Sequence, residues 1–262
     1  MRPPSPVIAL LTDFGLSDHY VAAMKGVILG IAPDAVLLDI THDVAPQDVL
    51  GGALELEAVA PCLPDGTIVV AVVDPGVGTE RRAIAVDAGR LRLVGPDNGL
   101  FTLVLRTTPS YTAVELSNPR FHRPVMSRTF EGRDRFAPVA AHLAAGTPPS
   151  ALGPGVSSLV HLDVPEPVST DDHLSGIVLR PDRFGNLVTN IRRADLEALG
   201  AGTVVTVAGR TLDVVATYGA VAAGTLTALV GSTDRLEIAV NGGSAAAVLG
   251  LARGAAVSVR RR

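Results

Sequence analysis

Tryptophan is absent from the sequence, lysine and cysteine occur once each, and aromatic residues make up only 3% of the chain. Each scarcity excludes a class of chemistry. With Lys25 the single lysine and every other cation an arginine, two-lysine mechanisms and Walker-type phosphate loops are ruled out. Lys25 falls in a predicted helix, where a solvated role is a simpler reading than a Schiff base. Cys62 has no partner for an internal disulfide, and between Pro61 and Pro64 it is read as a buried thiol rather than a nucleophile. A reducing, cytoplasmic setting is expected. No apolar stretch reaches the roughly 20 residues that span a bilayer as a helix, so no membrane partner is expected. Met1 to Pro6 has one Arg and three prolines, unlike a signal peptide. The balance of 22 basic to 26 acidic residues, with Arg260 to Arg262 the one run of three cations, argues against nucleic acid.

What is present is a chain of 262 residues, 47% of them hydrophobic, long enough for one or two globular domains that need no staple. The first part alternates strand-like and helix-like segments. Val7 to Thr12, Val36 to Ile40 and Thr67 to Val73 have β character, while Val21, Met24, Val27, Ile28 and Ile31 recur at helical spacing. A second helix is predicted from Val49 to Ala60, entered through Pro46, Gln47 and Asp48. Nearly uninterrupted apolar strands suit a sheet covered on both faces. From Gly146 to Thr170 the chain is rich in Pro, Gly and Ser, and beyond it short β-type runs are separated by turn residues. The expected architecture is an α/β domain with a mostly parallel central sheet (1–150), a linker (151–172) and a smaller all-β, barrel-like domain (173–262).

Polar groups gather at the predicted strand ends. Asp13 and Asp74 directly follow two of them, and His42 with Asp43 follows the third. Ligands of open α/β sheets bind outside the carboxyl ends of strands, which makes Asp13, His42 and Asp74 candidates for one cleft. The bland alternative is that each Asp caps a helix or forms a turn. In the second half, Asp182, Arg183, Phe184, Gly185 and Asn186 compress an acid, an aromatic face and an amide into one turn. Such a group can read a purine edge, or can simply be a hairpin turn with a core Phe. The segment Gly231 to Asp234 invites the same two readings.

Six ordered blocks then carry a resemblance: LTDFGLSDHYVAAMKGVI (Leu11 to Ile28), DITHDVAPQDV (Asp39 to Val49), VVDPGVGTERR (Val72 to Arg82), VGPDNGLFT (Val94 to Thr102), TFEGRDRFAP (Thr129 to Pro138) and RFGNLVTNI (Arg183 to Ile191). Together they resemble the S-adenosylmethionine hydroxide adenosyltransferases, relatives of the fluorinase and chlorinase. The resemblance implies a metal-independent hydrolysis in which water displaces methionine from C5′ of S-adenosylmethionine, giving adenosine. It implies Asp74 and Arg81 as catalytic residues, with a His in the family's usual pattern replaced here by Glu131. It further implies Asp13 at the ribose hydroxyls, Asp182 at the methionine ammonium, Asn186 at adenine with Phe184 beside it, and Ser232 and Asp18 at the methionine end. No cofactor is implied, and the family's homotrimer places the site between subunits.

Two further residues bear on the choice of nucleophile and on stacking. Val77 stands where the fluorinase resemblance wants a hydroxyl donor for the anion, and the carboxylates Asp74 and Glu131 are expected to repel a halide. Gln47 replaces an aromatic that the fluorinase places near the nucleoside. Two rival functions are a non-catalytic S-adenosylmethionine or adenosine binder, suggested by Glu131, and a metal-dependent hydrolase built on Asp13, His42, Asp43 and Asp74. The second lacks any His pair at zinc-ligand spacing.

Overall fold

A computed structural model describes residues 5–262; residues 1–4, which hold most of the stretch read against a signal peptide, lie outside the described residues. The chain forms two compact units, the first ending at Asp163 and the second spanning Val164–Arg262.

The first unit contains β1 (Val7–Thr12), α1 (Tyr20–Ile31), β2 (Val36–Thr41), α2 (Val49–Val59), β3 (Ile68–Val72), β4 (Ala83–Ala88), β5 (Leu91–Pro96), α3 (Thr102–Arg106), β6 (Thr112–Glu115) and α4 (Ala137–Ala144). Its six strands are ordered β2-β1-β3-β5-β4-β6. The first four run parallel, and β4 turns the far edge antiparallel through pairing with β5 and β6. β3 is buried at every position, as an uninterrupted apolar run demands, whereas the edge strand β2 is half-exposed. Helix α1 presents Val21, Met24 and Ile28 to the core on one stripe. α4 joins it in a cluster with Ile8, Leu10, Ile68 and Val70. On the other face α2 stands so close to the sheet that a Cβ on Gly52 would meet Leu100 at 2.9 Å and Val73 at 3.0 Å. That helix starts at Val49 because the Asp48 carboxylate accepts the Gly51 amide at 3.0 Å.

The Pro-, Gly- and Ser-rich stretch after α4 follows the first unit closely. Asn118 N donates to Leu152 O at 2.9 Å, Val156 N to Ala113 O at 2.8 Å, and Leu162 N to the Thr102 hydroxyl at 2.8 Å. Cys62 is exposed rather than buried. Pro61 turns the end of α2 into a 3-10 turn that swings the thiol outward, and Leu63 fills the core in its place.

The second unit contains β7 (Val168–Ser169), β8 (His173–Pro181), β9 (Leu187–Arg192), α5 (Arg193–Leu199), β10 (Thr203–Val207), β11 (Arg210–Val215), β12 (Leu226–Val230), β13 (Arg235–Val240), α6 (Ala245–Leu249) and β14 (Ala256–Arg261). Its order is β14-β10-β11-β12-β13-β9-β8-β7, and the further pairing of β14 with β8 closes a barrel. Alternate residues fill it, including Leu236, Ile238 and Val240 of β13 and Val257 and Val259 of β14. The expected fold class, α/β followed by a β-barrel, is the one observed.

Candidate active site

Strand order creates the first site. β1 leads through α1 to β2 on one side, while β3 leads away to β4 on the other, so the loops after β1 and β3 diverge. A crevice opens at such a switch point. The cleft there, of about 340 Å³, is lined by Asp13, Asp74 and Glu131 among others. Phe14, Tyr20 and Phe130 wall it as a ring cluster, with centroids 5.1 to 6.0 Å apart. Three of the few aromatics in the chain are thus concentrated here, which sequence reasoning missed because Phe130 comes from a segment far from Phe14 and Tyr20.

Asp74, Arg81 and Glu131 form one cluster. Arg81 Nε donates to both Asp74 oxygens at 2.9 and 3.0 Å, and its Nη2 bridges Asp74 Oδ2 and Glu131 Oε2, the latter at 2.5 Å. Their side chains are only 11%, 5% and 13% exposed for Arg81, Asp74 and Glu131. Burial acts to lower the Arg81 pKa, but hydrogen bonds and charges of Asp74 and Glu131 outweigh it and hold it above the usual arginine range. The loop between Asp74 and Arg81 reaches this position through Gly78, whose φ of 79° and approach to Arg128 O, 2.8 Å from a would-be Cβ, suit no other residue. The carboxylates are also less isolated than the sequence suggests. Arg135 lies 3.3 Å from Glu131 Oε1, so two guanidiniums balance two carboxylates, and repulsion of a halide by Asp74 and Glu131 is correspondingly weaker.

Glu131 is carried by an unusual backbone. Gly132–Phe136 forms one π turn ahead of α4, with Ala137 N donating to Gly132 O. Such turns recur at functional sites. Under it Asp134 is fully buried, bonded by Arg133 at 2.7 Å, Arg123 at 2.9 Å and Ser127 N at 2.7 Å. Arg133 therefore anchors the turn, its guanidinium 4.9 Å from the Phe130 ring centroid. Burial acts to raise the Asp134 pKa, but Arg133, the Ser127 amide and Arg123 together hold it below the usual carboxylate range.

Asp13 is held by Gln47, whose backbone N donates to Oδ2 at 2.7 Å from a left-handed φ of 66°. His42 does not enter the cleft. It is buried between β1 and β2, with Nδ1 2.8 Å from the Thr12 hydroxyl and Nε2 3.0 Å from Asp39, which also pairs with Lys25 at 2.6 Å. The single lysine is thus half-buried structure. Asp18 is exposed on the loop after β1 and lines neither this cleft nor the cavity of the second unit.

The second unit has its own cavity, of about 580 Å³, which collects Asp182, Phe184, Asn186 and Ser232 together with Tyr218 and Glu237. Asp182 organises the hairpin between β8 and β9: Oδ1 accepts Phe184 N at 2.9 Å and Asn186 N at 2.8 Å, and Oδ2 accepts Asn186 Nδ2 at 2.9 Å. The alternative of a core Phe fails, because Phe184 is 77% exposed. Gly185, with φ 83°, sits against Ser244 where any Cβ would clash. Gly231 to Asp234 is a turn joining β12 to β13 that delivers Ser232. Tyr218 and Glu237 escaped sequence analysis, although an acid inside the apolar run of β13 was the available signal. Tyr218 Oη donates to Glu237 Oε2 at 2.8 Å. Burial pushes the Glu237 carboxyl up, with Asp182 adding to the effect.

Asp182→Ala removes three hydrogen bonds from the turn. The expected result is a rise in KM of about tenfold or more with kcat less affected, measured by steady-state kinetics.

Among the described residues, no group of three or more His, Cys, Asp or Glu is placed to hold a metal ion, and no helix is long and apolar enough to cross a membrane. An open α/β unit with an acid-arginine cluster at its switch point, followed by a closed barrel with an acid-lined cavity, defines a class of two-unit, small-molecule-binding proteins. Within that class the particular family is given by comparison. The SAM hydroxide adenosyltransferase N-terminal domain model matches residues 8–153 and the C-terminal domain model residues 176–258, and the chain belongs to this family. It is 45% identical to an (R)-S-adenosyl-L-methionine hydrolase of Thermus thermophilus, over 97% of this chain and 98% of that one. A protein of the same name from Salinispora tropica is 43% identical over 96% of each. A fluorinase of Nocardia brasiliensis is 33% identical over 75% of each. Among solved structures, an uncharacterized conserved protein of Thermotoga maritima matches with a TM-score of 0.91 at 36% identity, covering 97% of this chain and all of that one.

Proposed function

We propose that the chain hydrolyses S-adenosyl-L-methionine, as its R sulfonium epimer, to adenosine and L-methionine by in-line attack of water at C5′. The observation that carries this reading is the Asp74–Arg81–Glu131 cluster facing the same cleft as Asp13. Family membership supports it, as do the relatives named for the R epimer. The water oxygen forms a bond to C5′ as the C5′–S bond breaks, and the electron pair goes to sulfur. Methionine leaves as a neutral thioether, so its departure needs no acid and the reaction as proposed uses no cofactor. The work falls on positioning water and taking its proton.

Glu131 is the better acceptor of that proton. Both Asp74 oxygens already take Arg81 donors, and Oδ1 also takes Gly76 N at 3.2 Å. Glu131 has one oxygen on Arg81 and the other only at the 3.3 Å reach of Arg135. Glu131→Gln is expected to lower kcat by about a hundredfold with KM little changed. An unchanged kcat and pH profile would leave Asp74 as the base.

Binding roles complete the proposal. Asp13 takes the ribose hydroxyls, and the Phe14, Tyr20 and Phe130 rings provide apolar surface where Gln47 offers none. Asn186 and Phe184 read adenine, Asp182 faces the methionine ammonium, and Ser232 serves the methionine end, where Asp18, outside both cavities, is assigned by the family resemblance alone. The family resemblance extends this to a homotrimer in which one subunit supplies the α/β side of a site and its neighbour the barrel side. Mixing Asp74→Ala with Asn186→Ala subunits is expected to recover part of the activity, and no recovery would defeat the shared site. A reducing, cytoplasmic setting agrees with a free, exposed thiol at Cys62.

The deciding experiment incubates pure protein with the separated R and S epimers in ¹⁸O-labelled water. Adenosine carrying the label at its 5′-hydroxyl, formed from the R epimer, is the expected product. Intact ligand after long incubation would show a binder instead.

A further inference from the structure

We propose that Arg135 is a positioning residue of the water-activating cluster, acting on the reaction through Glu131. This rests on the reading of Glu131 as the proton acceptor. Arg135 follows Glu131 by four residues across the π turn and meets Oε1 at 3.3 Å, while Arg81 holds Oε2 at 2.5 Å. The two guanidiniums grip opposite oxygens of one carboxylate. A glutamate has three rotatable side-chain bonds, and a single arginine on one oxygen leaves the other free to swing. A second cation on that oxygen fixes the carboxylate plane and keeps Oε1 at the cleft, which Glu131 lines.

Arg135 does not have the surroundings of an ordinary surface cation. Its side chain is only 25% exposed, and its Nε is buried without a hydrogen-bond partner. Among the described residues the anion it touches is Glu131. A buried guanidinium is costly unless paired, so its place in the turn depends on that carboxylate. On the far side its charge reaches His122, whose Nε2 is likewise buried and unpartnered. Burial, and after it the Arg135 cation, push the His122 imidazole below the usual histidine range, against the opposing pull of Glu131 and the Leu116 backbone. The division of labour is clear: Arg81 ties Glu131 to Asp74, and Arg135 sets the orientation of the oxygen left over.

A double-mutant cycle tests this, with kcat and KM measured for Arg135→Met, Arg135→Lys, Glu131→Gln and the Glu131→Gln/Arg135→Met pair. Thermal unfolding of each variant identifies any that fail to fold, in which case Arg135→Gln replaces Arg135→Met. The expected result is a kcat lowered about tenfold by Arg135→Met, with KM within twofold and partial rescue by Arg135→Lys. In the Glu131→Gln background the same change should cost no further activity, because the charge it orients is gone. An equal loss in both backgrounds would overturn the proposal by making Arg135 merely structural, while leaving the role of Glu131 intact. A normal kcat in Glu131→Gln alone would instead remove the reading of Glu131, and this proposal with it.

Discussion

Replacing Arg81 with Met is expected to lower kcat by about a thousandfold and to destabilise the first unit by about 3–5 kcal/mol. Arg81 is the cation that both Asp74 and Glu131 touch, and all three side chains are nearly buried. Without it two carboxylates face one another in a site of low polarity, with Arg135 reaching only one of them. The Arg81→Lys variant is the informative control. An ammonium keeps the charge but not the planar fork that spans two carboxylates, so it should restore most of the stability and little of the rate. Urea unfolding and steady-state kinetics on the same preparations separate the two effects. If both variants retain near-normal kcat, the cluster is a structural ion pair and the catalytic reading of it fails.

Asp134→Ala is expected to destabilise the first unit by a similar amount, about 3–5 kcal/mol, because it strands Arg133 and leaves the partly buried Ser127 amide without its acceptor. Activity should fall with it, since the π turn that aims Glu131 is built over this carboxylate. Acid acts in the same direction. The folded-state pKa of Asp134 is depressed, so its contribution is fully present above the unfolded value and is lost as pH falls through the lower, folded one. Asp39, held below the usual range by Lys25 and His42 against the effect of burial, behaves alike. Wild-type unfolding midpoints should therefore drop below about pH 4, and the drop should be shallower in Asp134→Asn, which lacks one of these carboxylates. An equal acid dependence in the two proteins would refute the assignment.

Much of the architecture was legible in local pattern. The strands from Val7, Val36 and Thr67 and the helices that separate them follow from apolar periodicity, and each begins or ends within a residue or two of the observed element. The hairpin of β4 and β5 is not legible in local pattern, because Ala, Gly and alternating Arg dilute its β signal and pairing with β3 and β6 is what stabilises it. Cys62 departs from its expected burial for a related reason. Its neighbours are apolar, but two prolines turn the backbone so that Leu63 rather than the thiol faces inward.

The candidate site divides in the same way. Sequence alone determined the residue types: with one lysine and one cysteine, the chemistry had to rest on carboxylates and arginine, and the six ordered blocks singled out Asp13, Asp74, Arg81, Glu131 and Asn186. Tertiary structure decided which of them meet. His42 occupies a strand end just as Asp13 and Asp74 do, yet it turns inward to Thr12 and Asp39, because the switch point lies between β1 and β3 and not beside β2. Arg135, Tyr218 and Glu237 acquire meaning only through partners, or neighbouring elements, brought to them by folding. Charge, unlike hydrophobic period, leaves no mark in sequence that tells which opposite charge it will face. Only a packed backbone sets the few ångströms over which a carboxylate is tied down or left free to accept a proton.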